Sequence, residues 1–295
     1  MTSPSPEYLE SELELLASGY RLAEAPVADD GNTVFFSDVR GGGVYSVVGD
    51  DLAQVIPHRK GIGGMVRHVD GGFIVSGRNV SHKGPDGETT IIIDRDAESG
   101  RFIFNDLTTD FAGRIYVGAF ATNSPWEADE QGRRGSLVMV DLDGRVYTVD
   151  DDVEAPNGMS VSADGRSLYV IETGRCLVWR YAIGADGRLE GKERFVDFGE
   201  DMPDGMAGTA DGGLWVAMAR SGAISVIAPD GTITTRLPMP TPMVSSLAFG
   251  GPDSRTVYIC TGTVPDGEIG GAVYRSRAVK PGLRVPFARI PIETA

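Results

Sequence analysis

Short apolar runs and Gly/Asp turns alternate along the chain, and one unit recurs: a short strand, a turn, then a strand of β-branched and aromatic residues. Six second strands are legible. They are Val34-Phe35-Phe36-Ser37-Asp38, Phe73-Ile74-Val75-Ser76-Gly77, Ile115-Tyr116-Val117-Gly118-Ala119, Leu168-Tyr169-Val170-Ile171-Glu172, Leu214-Trp215-Val216-Ala217-Met218 and Val257-Tyr258-Ile259-Cys260-Thr261. Asp30-Gly31, Asp70-Gly71, Asp164-Gly165 and Asp211-Gly212 precede four of them, and both residue types tolerate the positive φ of a tight hairpin. Third strands are expected at 44–48, 90–94, 137–141, 178–183, 224–228 and 273–277, with distal strands such as 145–149, 194–198 and 232–237. Six antiparallel units at roughly 40–50 residues each predict an all-β fold, the six-bladed β-propeller. A β-sandwich also has short strands and frequent turns, but nothing in it repeats six times at this period.

One propeller uses the whole chain, so residues 1–295 read as a single domain. Tyr8, Leu9, Leu13, Leu15 and Leu16 have helix-compatible spacing, which makes residues 1–20 a candidate capping helix. The alternative is an outer strand over 17–22 that joins the last blade and covers its edge.

Composition narrows the function. Forty glycines suit a turn-rich β protein, and the net charge of −15 supplies no basic footprint for nucleic acid or an anionic membrane. Cys176 and Cys260 make neither a disulfide framework nor a thiolate cage. The N-terminal residues lack the pattern of a secretory signal and no run is apolar enough to span a membrane, so a cytoplasmic protein acting on a small molecule is expected. Nothing in the pattern specifies an oligomeric state.

Glu24, Asn105, Asn157 and Asp204 each lie ten or eleven residues ahead of the second strand of their blade. In a propeller the first strands line the central channel, so the repeat would gather these four side chains at one end of it. Two carboxylates and two amide oxygens are hard ligands, which suit Ca²⁺ or Mg²⁺ better than Zn²⁺, although oxygen donors also accept Mn²⁺ and Zn²⁺. Connections between second and third strands would open on the same face. The long ones are 78–89, 120–136 and 262–272, and the second of these carries Asn123, Trp126 and Glu127. His58, His68 and His82 fall outside the aligned positions, and no Gly-x-Ser-x-Gly elbow is present. Gly61-Ile62-Gly63-Gly64 lacks the Lys-Ser/Thr of a phosphate loop and reads as a place where blade 2 approaches the axis without a side chain.

Glu24-Ala25-Pro26-Val27, Asn105-Asp106-Leu107, Ala155-Pro156-Asn157-Gly158-Met159, Pro203-Asp204-Gly205-Met206 and Ala248-Phe249-Gly250-Gly251-Pro252-Asp253 together resemble the senescence marker protein, gluconolactonase and luciferin-regenerating enzyme family. The resemblance implies a six-bladed propeller with one axial divalent cation, usually Ca²⁺, and hydrolysis of lactones. It assigns the metal ligands to Glu24, Asn157 and Asp204, a contact with substrate or a metal-bound water to Asn105, and the general base to Asp204. Two departures stand out. Ala25 replaces the glycine usual after the Glu. Ile103, followed by Phe104, stands where sugar-lactone hydrolases tend to carry Arg. The apolar pair implies a substrate less polar than an aldonolactone, bound by Asn105, Ile103, Phe104, Asn123 and Trp126. Two other readings compete with a metal-dependent lactonase or esterase: a binding scaffold with a structural Ca²⁺, and a lyase or isomerase using the same site.

Overall fold

A computed structural model describes residues 6–264 and 270–292. Its strands, in chain order, begin with β1 (Glu14–Tyr20). Blade 1 follows as β2 (Ala23–Ala28), β3 (Thr33–Asp38), β4 (Val44–Val48) and β5 (Asp51–Ile56). Blade 2 is β6 (Met65–Arg67), β7 (Phe73–Val75), β8 (Val80–Lys83) and β9 (Thr89–Ile93). Blade 3 is β10 (Ile103–Thr109), β11 (Ile115–Phe120), β12 (Gly135–Val140) and β13 (Val146–Asp150). Blade 4 is β14 (Pro156–Val161), β15 (Ser167–Glu172), β16 (Leu177–Ile183) and β17 (Leu189–Asp197). Blade 5 is β18 (Pro203–Gly208), β19 (Leu214–Met218), β20 (Ala223–Ile227) and β21 (Ile233–Pro238), and blade 6 is β22 (Val244–Gly250), β23 (Thr256–Thr261) and β24 (Gly271–Arg277), completed by β1. Six four-stranded antiparallel sheets make this an all-β six-bladed β-propeller. Among the described residues no helix is long and apolar enough to cross a membrane.

The blades fall into two compact groups. The first, within residues 1–62 and 198–284, holds blades 5, 6 and 1; the second, within 63–197 and 285–295, holds blades 2, 3 and 4. In each group the first strands of consecutive blades lie side by side: β18, β22 and β2 in one, β6, β10 and β14 in the other. Several second and third strands are buried on both faces. Every residue of β11, β12, β19 and β20 is buried, so these strands read as continuous apolar runs. Fourth strands are more open: five of the six residues of β5 are exposed, and β21 alternates half-buried and exposed residues before the buried Leu237.

Apolar layers between neighbouring blades hold each group together. In the first group Trp215, Ile224, Phe249 and Ile259 pack between blades 5 and 6, and Phe36, Val47, Tyr258 and Cys260 between blades 6 and 1. In the second, Ile74, Phe104, Leu107 and Val117 pack between blades 2 and 3, and Tyr116, Met139, Met159 and Val170 between blades 3 and 4. The first-to-second strand hairpins use the expected turns: Gly165 and Gly212 take φ of 72° and 90°, where a Cβ would be strained.

Two expected elements differ. Residues 6–13 form turns and a single bridge, Leu9 to Ala278, rather than a capping helix; β1 then pairs with β24 from Glu14↔Arg275 to Tyr20↔Gly271. Extension lets Leu9 bury against blade 6 while the backbone covers the free edge of β24. In blade 2 the third strand is β8, and the stretch expected at 90–94 is the fourth strand, β9. The polar Val80-Ser81-His82-Lys83 conceals a strand whose first three residues are buried. The connection expected over 78–89 is therefore divided. Part of that expected over 262–272 lies outside the described residues.

Candidate active site

Five first strands break register at the same end. The breaks fall between Glu24 and Val27, Phe104 and Leu107, Pro156 and Met159, Pro203 and Met206, and Val244 and Ser246. A bulge bends its strand and re-aims the extra residue. Asn105, Asn157 and Asp204 each take the first place inside the break, so three of the four aligned positions are equivalent. Glu24 is not. It pairs with Ser37 at the rung before the break, where other blades have Phe104, Pro156 and Pro203, and Ala25-Pro26 fills the bulge. The miscount has a simple cause: Phe35 stands opposite Val27, the rung taken elsewhere by Val117, Val170 and Val216 rather than by Ile115, Leu168 and Leu214.

Backbone strain accompanies these bulges. Ala25 and Ala155 have φ of 51° and 50°, and each precedes a proline. Such conformations cost on the order of 1–3 kcal/mol and persist only where their surroundings impose them.

In the first group Glu24 is a nearly buried carboxylate, 8% exposed, whose Oε2 accepts the Ala25 N–H at 3.2 Å. Ser37 Oγ donates to the carbonyls of Ile62 at 2.6 Å and Glu24 at 3.3 Å, and Ser245, in the blade 6 bulge, donates to that of Ala23 at 2.7 Å. Burial pushes the Cys260 thiol well up, and the nearby Glu24 charge adds to the shift. Cys260 is thereby kept a neutral core residue, with no thiolate for nucleophilic work. Asp204 is half-buried at the start of β18.

The second group brings Asn105 and Asn157 together. Asn105 Nδ2 donates to Asn157 Oδ1 at 3.2 Å and to the Pro156 carbonyl at 3.1 Å. Asn157 Nδ2 donates to Thr173 Oγ1 at 3.2 Å, and the Thr173 N–H donates to the Ala155 carbonyl at 3.2 Å. Blade 2 meets this pair with Gly63, where a Cβ would fall 2.4 Å from Asn105 Oδ1. This agrees with the expectation of a close approach without a side chain. Glu172, fully buried beside Thr173, accepts from Trp179 Nε1 at 2.6 Å and from Arg175 at 2.8 Å. Sequence separation hid Thr173: its partner is sixteen residues away and no local motif marks the contact.

One member of the expected substrate wall faces the core. Phe104 is 0% exposed and packed among Ile74, Leu107 and Val117, so it belongs to the core and is withdrawn as a substrate contact. The side chain alternates away from the bulge because Phe104 is still a paired strand residue, opposite Ala119. Ile103 is half-buried opposite Phe120. Asn123 and Trp126 lie on the loop 121–134, at the same end of blade 3 as Asn105; Asn123 is exposed and Trp126 is 50% exposed. Arg134 steadies this loop by donating to the Trp126 carbonyl at 3.1 Å and to Glu154 at 3.0 Å. The histidines serve elsewhere. His68 contacts the Ile290 carbonyl and His82 that of Gly71, while His58 is exposed.

Among the described residues no cluster of three or more His, Cys, Asp or Glu side chains is placed to hold a metal. The donors at the bulges are of another kind, amide oxygens with separate carboxylates, which suits a hard oxygen-seeking cation. The ordered amide pair and the nearly buried Glu24 carboxylate fit that donor chemistry.

Residues 22–263 match the family described as SMP-30/Gluconolactonase/LRE-like region. The chain belongs to this family. Among relatives, the Pentonolactonase XacC of Haloferax volcanii is 35% identical over 62% of this chain and 67% of its own length. A 6-deoxy-6-sulfogluconolactonase of Pseudomonas putida is 29% identical over 74% and 77%. A solved luciferin-regenerating enzyme superposes with a TM-score of 0.84 at 21% identity, covering 98% of this chain and 100% of that one, which shows the common fold.

Proposed function

We propose that this family member is a divalent-cation-dependent hydrolase of lactones or related esters. Support comes chiefly from one observation: Asn105, Asn157 and Asp204 occupy the same bulge position in three blades. Likeness to two proteins named as lactonases supports the reaction class. In this reading Glu24, Asn157 and Asp204 hold one cation, Ca²⁺ before Mg²⁺, Mn²⁺ or Zn²⁺. When bound, such a cation supplies Lewis-acid polarisation of a carbonyl and stabilises charge on the tetrahedral oxygen.

The chain's own residues do the rest. Asp204 accepts the proton of the attacking water as general base. Asn105 contacts the substrate through its amide, whose orientation is set by the Pro156 carbonyl and Asn157. Ile103 and the 121–134 loop with Asn123 and Trp126 form the wall, and the apolar Ile103 favours a substrate less polar than a sugar aldonolactone. With Phe104 in the core, that preference rests on Ile103 and the exposed face of Trp126.

Elemental analysis of the purified protein, followed by a lactone and ester panel with and without chelator, tests the proposal. Expected are one bound divalent ion, hydrolysis lost on chelation and restored by Ca²⁺, and faster turnover of alkyl-substituted lactones than of pentonolactone. Ca²⁺ binding without hydrolysis would select the scaffold reading, and a product formed without addition of water would select the lyase or isomerase.

A further inference from the structure

We infer that Thr173 is a positioning residue for the proposed cation site, holding the Asn157 amide so that its oxygen rather than its nitrogen is offered as a ligand. The inference rests on the reading of Asn157 as a ligand. A carboxylate offers an oxygen either way it is turned, but an amide turned the wrong way aims an N–H at the cation. Asn157 therefore needs a device that Asp204 does not.

Hydrogen-bond direction supplies it. The Pro156 carbonyl can only accept, so the Asn105 group facing it at 3.1 Å is the NH₂. The same NH₂ lies 3.2 Å from the Asn157 side chain, so the Asn157 atom there is the acceptor Oδ1. Asn157 Nδ2 is then left pointing the other way, and Thr173 Oγ1 receives it at 3.2 Å. Thr173 is 5% exposed, so it replaces a water partner that burial excludes.

Blade 5 provides an internal comparison. Its counterpart of Thr173 is Ala219, the residue following the partner of Pro203, as Thr173 follows the partner of Pro156. Ala219 N donates to the Met202 carbonyl at 2.8 Å, just as Thr173 N donates to Ala155. The backbone turn is thus made without a hydroxyl where the ligand is a carboxylate. The hydroxyl appears where the ligand is an amide. Support for Thr173 itself comes from its neighbour Glu172, whose carboxylate is anchored by Trp179 and Arg175.

The test compares the full-length wild-type chain with T173V, T173A, T173S and N157A. Ca²⁺ affinity is measured by titration calorimetry, and metal-free melting is followed by circular dichroism. T173V and T173A are expected to weaken Ca²⁺ binding about 10–100-fold, as loss of a partner behind a ligand typically does. T173S restores affinity to within about threefold by keeping the hydroxyl, and the metal-free melting temperature of T173A stays within a few degrees of wild type. N157A abolishes binding. Unchanged affinity in T173V and T173A, with N157A still abolishing binding, overturns the role of Thr173 and leaves the cation site standing. Unchanged affinity in N157A overturns the cation site itself, and this inference with it. Failure of T173S to restore affinity shows a packing role for the methyl group and also overturns the inference.

Discussion

Replacing Gly63 by alanine should damage turnover far more than stability. Gly63 does not adopt a positive φ, so alanine is compatible with its backbone. The added Cβ would stand 2.4 Å from Asn105 Oδ1 and 3.4 Å from its Cγ. Relief requires the oxygen to retreat by about 1 Å, since ordinary contact begins near 3.4 Å. The amide is rigid, so Nδ2 moves with it and its bonds to the Pro156 carbonyl and Asn157 Oδ1, now 3.1 and 3.2 Å, pass out of range. Two such bonds are worth about 2 kcal/mol together. Reduced freedom of the unfolded chain returns about 0.4–1 kcal/mol on replacing glycine. The net loss is about 1 kcal/mol, or a few degrees of melting temperature. At the proposed site the same displacement moves the Asn105 amide and releases its bond to Asn157, and a misplacement of about 1 Å costs on the order of 100-fold in rate. Calorimetric melting and kcat/KM for a lactone, measured on the same preparation, separate the two effects. A variant with kcat/KM within threefold of wild type would refute the coupling of Gly63 to Asn105 and Asn157.

Other outcomes follow from the same structure. F104A should lose roughly 3–5 kcal/mol in denaturant unfolding, whereas F104L should leave KM unchanged; a raised KM in F104L would return Phe104 to the substrate wall. I290A, which empties a fully buried place in the second group, should cost roughly 2–4 kcal/mol in the same assay. The Arg114 guanidinium, 2.8 Å from Asp141, holds that carboxyl below its usual range. A carboxylate with a depressed native pKa stabilises the fold above its unfolded pKa, and the contribution is lost as pH falls through the native value. R114M should therefore be about 2 kcal/mol less stable than wild type at pH 7, with the gap narrowing below about pH 4. A gap independent of pH would assign the effect to packing.

Much of the architecture was legible because it is periodic. Strands sandwiched between blades must be apolar on both faces, so β11, β15, β19 and β23 stand out as unbroken runs, and Asp-Gly pairs mark the hairpins before β15 and β19. Where that pressure slackens the signal fades: β8 is buried yet contains Ser81, His82 and Lys83, and its place in blade 2 was read onto β9. Leu9 and Leu13 share the spacing of a helix, but the uncovered edge of β24 offered hydrogen bonds to an extended chain.

The sequence by itself determined the six repeats, the all-β class, and oxygen donors recurring at one place in the repeat. That information is local, carried by residue type and spacing within each hairpin. Only the tertiary structure decided which rung each donor occupies, because a bulge shifts the register by one and leaves Glu24, like Phe104, on the paired rung before the break. It alone also decided the contacts of Asn105 with Asn157, and of Gly63 with Asn105. Such pairs lie many residues apart in the chain and meet only when neighbouring first strands pack side by side.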